Sequence, residues 1–127
     1  MKIKVEKMSC NDNVIRVDFS SDYGRSSALW VGEIPTLGTF YDVELDIDDD
    51  LVWGEGISTT KRDRAMIALE KGVFVVVGKV IKLEEDGCLS VSVGESVVLL
   101  DVANAPENIS GLIECHALDV KVYSTNL

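Results

Sequence analysis

Cysteine and histidine, the residues that most often carry metal or nucleophilic chemistry, are scarce in this sequence. A single histidine, His116, and three widely spaced cysteines (Cys10, Cys88 and Cys115) occur among 127 residues. An odd number of cysteines without a CxxC pair suggests neither a disulfide framework nor a zinc cluster. In an extended strand, Cys115 and His116 would point to opposite faces, so they do not form a nucleophile pair. We therefore assign no catalytic residue and no metal ligand.

Sequence motifs for catalysis and cofactor binding are missing as well. The chain contains no glycine-rich phosphate loop, no GxSxG elbow and no HExxH helix. Its carboxylates alternate along exposed segments, where no apolar pocket is available to prepare one of them for acid–base catalysis. We expect a protein that is not an enzyme and that uses no cofactor.

Long hydrophobic runs are also absent. Residues 1–10 alternate charged and apolar side chains and do not form the hydrophobic segment of a secretory signal. No stretch approaches the roughly 20 apolar residues that a transmembrane helix requires. We therefore expect a cytoplasmic protein that does not contact a membrane.

Basic residues are outnumbered by acidic ones. The chain has 12 lysines and arginines against 22 aspartates and glutamates, a formal net charge of -10. Such a field repels nucleic acid phosphates and favours basic partners. Aromatic residues, on which bases could stack, make up only 6% of the chain. The composition therefore disfavours nucleic acid and favours a basic protein surface as the partner.

Period-two alternation of apolar and polar residues predicts many short strands within one domain, residues 1–127. The densest apolar stretch, residues 73–102, predicts two strands joined at the Glu85-Asp86-Gly87 turn, because Asp-Gly between apolar runs is a strong hairpin signal. A change of phase at Gly94-Glu95 predicts a β-bulge in the second strand. We expect this hairpin to be the scaffold of the domain.

Weaker signals predict the remaining connections. Residues 3–19 form a predicted hairpin around Asn11-Asp12-Asn13, whose three side chains all favour turns. Residues 20–27 are polar and contain a glycine, which predicts a loop. Residues 112–123 predict a final strand with a phase slip near Leu118.

One helix is predicted, over about residues 60–71. Thr60 is suited to its N-cap, Asp63 can bind back three residues later, and Gly72 stands where a C-cap glycine belongs. Between these ends lie helix-forming and apolar residues: Ala65, Met66, Ala68 and Leu69.

The predicted fold class is therefore mainly β, a curled sheet, sandwich or small barrel with one helix. Glycines such as Gly78 and Gly94 interrupt strands where a barrel would bend. The order of the elements resembles the OB-fold, a small β-barrel with a helix between its third and fourth strands. The resemblance covers residues 14–123 and rests on topology. Because more than five strands are predicted, an open curled sheet or a sandwich remains an alternative.

The clearest candidate binding site is an acidic segment. Residues 40–56 contain seven acidic residues and no basic one: Asp42, Glu44, Asp46, Asp48, Asp49, Asp50 and Glu55. Same-face residues of a strand recur about every 6.6 Å, close to the spacing of phosphates along a nucleic acid strand. We predict that this row binds a basic protein. The alternative is a charged sheet edge that prevents aggregation.

A small acidic protein without catalytic residues is similar to the bacterial immunity proteins, which block the positively charged active site of a nuclease toxin. The similarity is one of size, charge and missing chemistry. It implies a toxin inhibitor whose acidic segment docks on a nuclease.

A second hypothesis uses the only basic cluster, formed by Lys61, Arg62 and Arg64. Cations at the N-terminus of the predicted helix would oppose the helix dipole, so the cluster suggests a contact. An OB-like module could use it to bind single-stranded nucleic acid or a small anionic ligand. A third hypothesis is a structural subunit of an assembly, which would display an exposed apolar patch.

Overall fold

Strands account for nearly all of the regular structure, as the alternating sequence predicts. The computed structural model describes residues 1–125; residues 126 and 127 of the predicted domain lie outside the described part. Over residues 1–125 there are twelve strands and no helix. The first six are β1 (Lys2–Asn11), β2 (Val14–Ser21), β3 (Gly24–Val31), β4 (Phe40–Ile47), β5 (Asp50–Trp53) and β6 (Gly56–Thr59). The others are β7 (Met66–Glu70), β8 (Val73–Leu83), β9 (Cys88–Val93), β10 (Ser96–Ala103), β11 (Leu112–Ala117) and β12 (Val120–Ser124).

Five strands close the first barrel in the order β1-β2-β3-β12-β4, with β4 pairing back onto β1. The β1–β2 hairpin turns at Asp12 and Asn13, which both have positive φ (51° and 65°), as a two-residue hairpin turn requires. Strand β12, near the end of the chain, lies between β3 and β4. It is parallel to β3 and antiparallel to β4. The predicted N-terminal hairpin is thereby confirmed.

Six strands close the second barrel in the order β8-β9-β10-β5-β6-β11, with β11 pairing back onto β8. The predicted 73–102 hairpin forms its centre, and Asp86 Oδ1 accepts a hydrogen bond from the Cys88 amide (3.0 Å) at the turn. Strand β7 pairs with the first half of β8 and lies outside the closed ring.

The two barrels share one apolar core. The Phe19 ring of the first barrel lies 6.3 Å, centroid to centroid, from the Phe74 ring of the second. Ser26 on β3 donates its hydroxyl to the Ala68 carbonyl on β7 (3.0 Å). The mainly β prediction and its small-barrel alternative are confirmed. The likeness to the OB-fold holds only at the level of a small closed barrel.

The prediction of a helix over residues 60–71 is wrong. Residues 66–70 form β7, and residues 60–65 precede it as a loop in which the Thr60 hydroxyl accepts the Arg62 amide hydrogen (3.1 Å). A helix of about twelve residues is marginal by itself, so tertiary partners decide the conformation of such a segment.

Those partners are strands on both sides of β7. One edge of β7 pairs with β8, and the Ile67 amide on the other side donates to the Tyr23 carbonyl (2.8 Å) while its side chain is buried. Lys71 and Gly72 have positive φ (52° and 80°), so the expected helix cap is instead a two-residue hairpin turn.

Three further connections differ from the prediction. Gly94-Glu95 is a hairpin turn between β9 and β10 instead of a bulge, because Val93 pairs with Ser96 directly across it. Residues 20–27 form the β2–β3 hairpin instead of a loop. The predicted slip near Leu118 is a break that separates β11 from β12. Among residues 1–125, nothing helical is available to span a membrane.

Candidate functional site

Strand β4 presents its carboxylates outward from the first barrel. Its odd positions, Val43, Leu45 and Ile47, are at most 8% exposed and pack in the core. The even positions therefore face away from the core, and Asp42 and Glu44 are exposed. We call Asp42, Glu44, Asp46 and Asp48 the acidic row; the last of these directly follows β4.

Strand β4 closes the ring by pairing with β1 at residues 40–42 and with β12 at residues 43–47. The alternative explanation of the acidic row was protection of a free sheet edge. Glu44 and Asp46 lie on the part of β4 that pairs with β12 alone, so edge protection and binding both remain explanations of the acidic row.

Part of the acidic row is neutralised within the chain. Lys121 lies beside Asp46 in the register and donates its Nζ to Asp48 Oδ2 (2.7 Å). The hydrogen bond from Lys121 lowers the pKa of Asp48. The same hydrogen bond raises the pKa of Lys121, and the negative charge of Asp48 raises it further. The pKa of Asp46 is raised by desolvation first and by repulsion from Asp48 second. This end of the row is therefore held in place by Lys121.

The other end of the row lies beside Lys2, which is opposite Asp42 in the β1–β4 register. Among residues 1–125, neither Asp42 nor Glu44 belongs to a salt bridge. Tyr123 hydrogen-bonds Glu44, and its pKa is raised by desolvation first and by this bond second. Asp42 and Glu44 are therefore the carboxylates of the row most available to a cationic partner.

Of the three remaining predicted acidic residues, one stabilises a turn and two are exposed. Asp49 accepts the backbone amides of Leu118 (2.9 Å) and Asp119 (2.8 Å), so both of its oxygens stabilise the β11–β12 turn. Asp50 and Glu55 are exposed on the second barrel, at the start of β5 and in the β5–β6 turn.

The fold adds residues to the site that the sequence did not indicate. A groove of about 380 Å³ between β4 and β10 is lined by Glu44, Glu95 and Val97, among others. Glu95 lies in the β9–β10 turn, where the sequence predicts a bulge. The sequence therefore does not indicate that Glu95 lies near Glu44. The acidic row therefore borders a further carboxylate and an exposed valine.

Of the three predicted basic residues, Arg62 is engaged within the chain. Arg62 Nε donates to Glu114 (2.8 Å) and Arg62 Nη2 to Glu70 (2.9 Å), so its guanidinium is occupied inside the chain. Lys61 and Arg64 are exposed in the loop before β7. Because no helix begins here, the argument from an opposed helix dipole does not apply.

Histidine and cysteine are separated as the strand alternation predicts. Cys115 is buried, and desolvation raises the pKa of its thiol to about 12, which makes it a poor nucleophile. His116 is exposed on the other face and its Nε2 lies 2.7 Å from Glu114 Oε2.

The site therefore consists of the acidic row, bordered by Glu95 and Val97; within residues 1–125, Asp42 and Glu44 form no salt bridge. Within residues 1–125, no group of three or more acidic, histidine or cysteine side chains is arranged to hold a metal ion. No protein-family model, no curated protein and no solved structure matches the chain.

Proposed function

We propose that this chain is a non-enzymatic binding protein that docks its acidic row on a basic protein surface. The observation that carries the proposal is the display of four carboxylates along one strand on the outside of a closed barrel. A row held on a barrel strand is ordered before binding, so little conformational entropy is lost when a partner arrives.

The chemistry of the row indicates what the partner must offer. Like charges about 6.6 Å apart repel one another in the free protein, and a row of lysines or arginines relieves that repulsion. A nuclease toxin is the proposed partner class, because its active site binds phosphates at a similar spacing with basic side chains. Bound there, the chain would act as an immunity-type inhibitor by excluding the nucleic acid.

Charge reversal in the acidic row tests this proposal. We expect Glu44→Lys with Asp46→Lys to slow association with a basic nuclease toxin domain by about tenfold or more, because steering depends on opposite charge. Stopped-flow association rates at several salt concentrations measure this, and the difference should shrink as salt rises.

The matched control is Glu84→Lys with Glu85→Lys, which makes the same charge change at the exposed β8–β9 turn. If both double variants associate at the same rate, only net charge matters and the acidic row is not the docking site. Association of the row variant at the unaltered rate would also refute the proposal.

The nucleic acid alternative has weaker support. Only Lys61 and Arg64 of its basic cluster remain available, since Arg62 is held by Glu70 and Glu114. A filter-binding titration with a single-stranded oligonucleotide at low salt separates the two functions, and retention that Lys61→Glu with Arg64→Glu abolishes would favour the alternative.

A further inference from the structure

One side of β10 has no neighbouring strand over residues 96–100. Strand β10 pairs with β9 on its other side over residues 96–101, and β5 pairs only with residues 101–103. We call the unpaired side of residues 96–100 the open edge. A groove of about 380 Å³ lies between the first part of this edge, at Ser96, Val97 and Val98, and strand β4.

The main chain of Val97 and Leu99 faces the open edge. Because the β9–β10 turn has two residues, Ser96 and every second residue of β10 after it bond to β9. The Val102 amide donates to the Gly87 carbonyl (2.9 Å), as this alternation requires. Within residues 1–125, the N–H and C=O groups of Val97 and Leu99 therefore have no hydrogen-bond partner.

The open edge lacks the features by which natural strand edges resist pairing with another chain. Strand β1, which is open over residues 7–11, carries Lys7 directly after a β-bulge, and lysines and bulges both oppose pairing. Residues 96–100 contain no charged residue, no proline and no bulge. The side chains of Val97 and Leu99 are also 54% and 59% exposed. This edge is therefore available to a further strand.

We propose that the open edge binds an extended segment of the basic partner as an added strand, an inference that rests on the proposed function. The N–H and C=O groups of Val97 and Leu99 pair with the main chain of the segment, as in other complexes formed by strand addition. Side chains of the segment that lie opposite Val97 and Leu99 share their face of the sheet and pack against them.

Acidic residues around the open edge indicate the chemistry of the segment. Exposed Glu95 precedes the edge, exposed Asp101 follows it, and Glu44 lines the groove beside it. Among the described residues that line the groove, the one cation is the Met1 amino group, which donates to the Val43 carbonyl (2.9 Å). A segment with lysine or arginine at both ends, and with aliphatic residues at alternate positions between them, therefore matches the edge.

A second copy of this chain fits the open edge less well. The antiparallel register that pairs Val97 with Leu99 of another copy also brings Glu95 to Asp101 at both ends of the contact. Like charges opposite one another destabilise a pair of strands, and the net charge of -10 on each copy adds repulsion. A basic segment meets opposite charge at the same positions, so it is the occupant that the edge favours.

The first test combines the isotope-labelled full chain with the peptide acetyl-Lys-Thr-Val-Thr-Val-Thr-Lys-amide. We expect bound peptide to slow amide hydrogen exchange of Val97 and Leu99 at least tenfold, because their N–H groups gain acceptors. The amides of Ser96 and Val98 already bond to β9 and should change less than about twofold. No chemical-shift change up to about 2 mM peptide, or binding without protection of Val97 and Leu99, overturns the proposal.

Methylated peptides test the main-chain hydrogen bonds separately from the charges. In the matching register the valines of the peptide lie opposite Val97 and Leu99, so methylation of both valine amides should weaken binding at least tenfold. Methylation of the first two threonine amides, which face away from the edge, is the matched control and should leave binding within about threefold. Equal binding of the two methylated peptides overturns the proposal.

A proline variant tests the open edge in the complex with a basic nuclease toxin domain. Val97→Pro removes an N–H that β9 does not use, a position at which an edge strand tolerates proline. Cys10→Pro is the matched control, because it makes the same change at the exposed open edge of β1. We expect Val97→Pro to dissociate about tenfold faster and Cys10→Pro to dissociate at the unaltered rate. Equal dissociation rates of the two variants overturn the proposal.

Failure of the added strand and failure of the proposed function give different results. Slower association of Glu44→Lys with Asp46→Lys, together with unaltered dissociation of Val97→Pro, would retain docking through the acidic row and overturn the added strand. Peptide protection of the open edge with unaltered association of the row variant would support the added strand and refute docking through the row. A dimer of the free chain in sedimentation equilibrium, with Val97 and Leu99 protected, would identify a second copy as the occupant and overturn the proposal.

Discussion

At the scale of single residues, the acidic segment contains side chains with different roles. Asp49 accepts two backbone amides, Asp48 is held by Lys121, and Asp42 and Glu44 have no salt bridge among residues 1–125. The sequence shows seven similar carboxylates, because their differences arise from atoms about 70 residues away along the chain. Substitution of Asp49 should therefore lower stability, whereas substitution of Asp42 or Glu44 should affect binding to the proposed partner.

Asp49→Ala should lower the free energy of unfolding by about 1–3 kcal/mol, since two backbone amides lose a charged acceptor. Urea denaturation measures this change. The control Asp50→Ala removes an adjacent exposed carboxylate and should cost less than about 0.5 kcal/mol. Equal losses in the two variants would contradict a structural role for Asp49.

A second residue-scale cluster joins β11 to β7. Glu114 accepts hydrogen bonds from Arg62 and Thr60 and contacts His116. The pKa of Glu114 is lowered from 4.5, first by the hydrogen bond from His116 and further by Thr60 and Arg62. The ionised form of Glu114 therefore stabilises the native state.

The sign of this effect predicts a pH dependence. A carboxyl whose pKa is lowered on folding contributes stability that is fully present above its ordinary pKa and is lost as the pH falls through the lowered value. Glu114→Gln should therefore reduce the melting temperature near neutral pH, and its difference from the unaltered chain should shrink below about pH 4. Thermal unfolding across this range checks it; a constant difference at all pH values would contradict the prediction.

At the scale of elements, the contact between β3 and β7 joins the two barrels. Ser26 bonds Ala68, and the backbone at Gly24 lies directly against the carbonyl of Ile67. A side chain at Gly24 would overlap that carbonyl, and Gly24 also has a φ of 131°, which other residues rarely adopt. Close approach of these two strands therefore requires glycine.

Gly24→Ala should cost about 3 kcal/mol or more, because both steric overlap and backbone strain oppose it. The matched control is Gly72→Ala in the β7–β8 turn, where φ is 80° but nothing lies within 4 Å of an added Cβ. That variant should cost only about 1 kcal/mol from strain. Denaturant unfolding of both variants separates the two contributions, and equal costs would argue against the contact.

Most of the wrongly predicted secondary-structure elements involve turns whose residue types are ambiguous. Asp86-Gly87 was recognisable because its residue types match a known hairpin signal. Lys71-Gly72 and Gly94-Glu95 combine one glycine with an ordinary charged residue, so the same residues also suit a helix end or a bulge. Only the pairing of β8 with β7 and of β10 with β9 distinguishes these possibilities.

At the scale of the whole molecule, two barrels from one chain border one candidate binding surface. The first barrel carries the acidic row on β4, and Glu95 and Val97 of the second barrel line the groove beside it. The net charge of -10 biases encounters towards basic partners at long range. Long-range attraction and contact with the acidic row therefore favour the same class of partner.

The mainly β class and the outward position of the carboxylates on β4 could be predicted from the sequence alone. Both follow from the period-two alternation, which depends only on neighbouring residues of one strand. It also showed that Cys115 and His116 face apart. The tertiary structure alone decided that residues 66–70 form a strand, that Arg62 is occupied, and that Glu95 and Val97 border Glu44. These outcomes depend on strand pairing between distant segments, whose backbone hydrogen bonds and buried contacts outweigh the local preferences of short, ambiguous stretches.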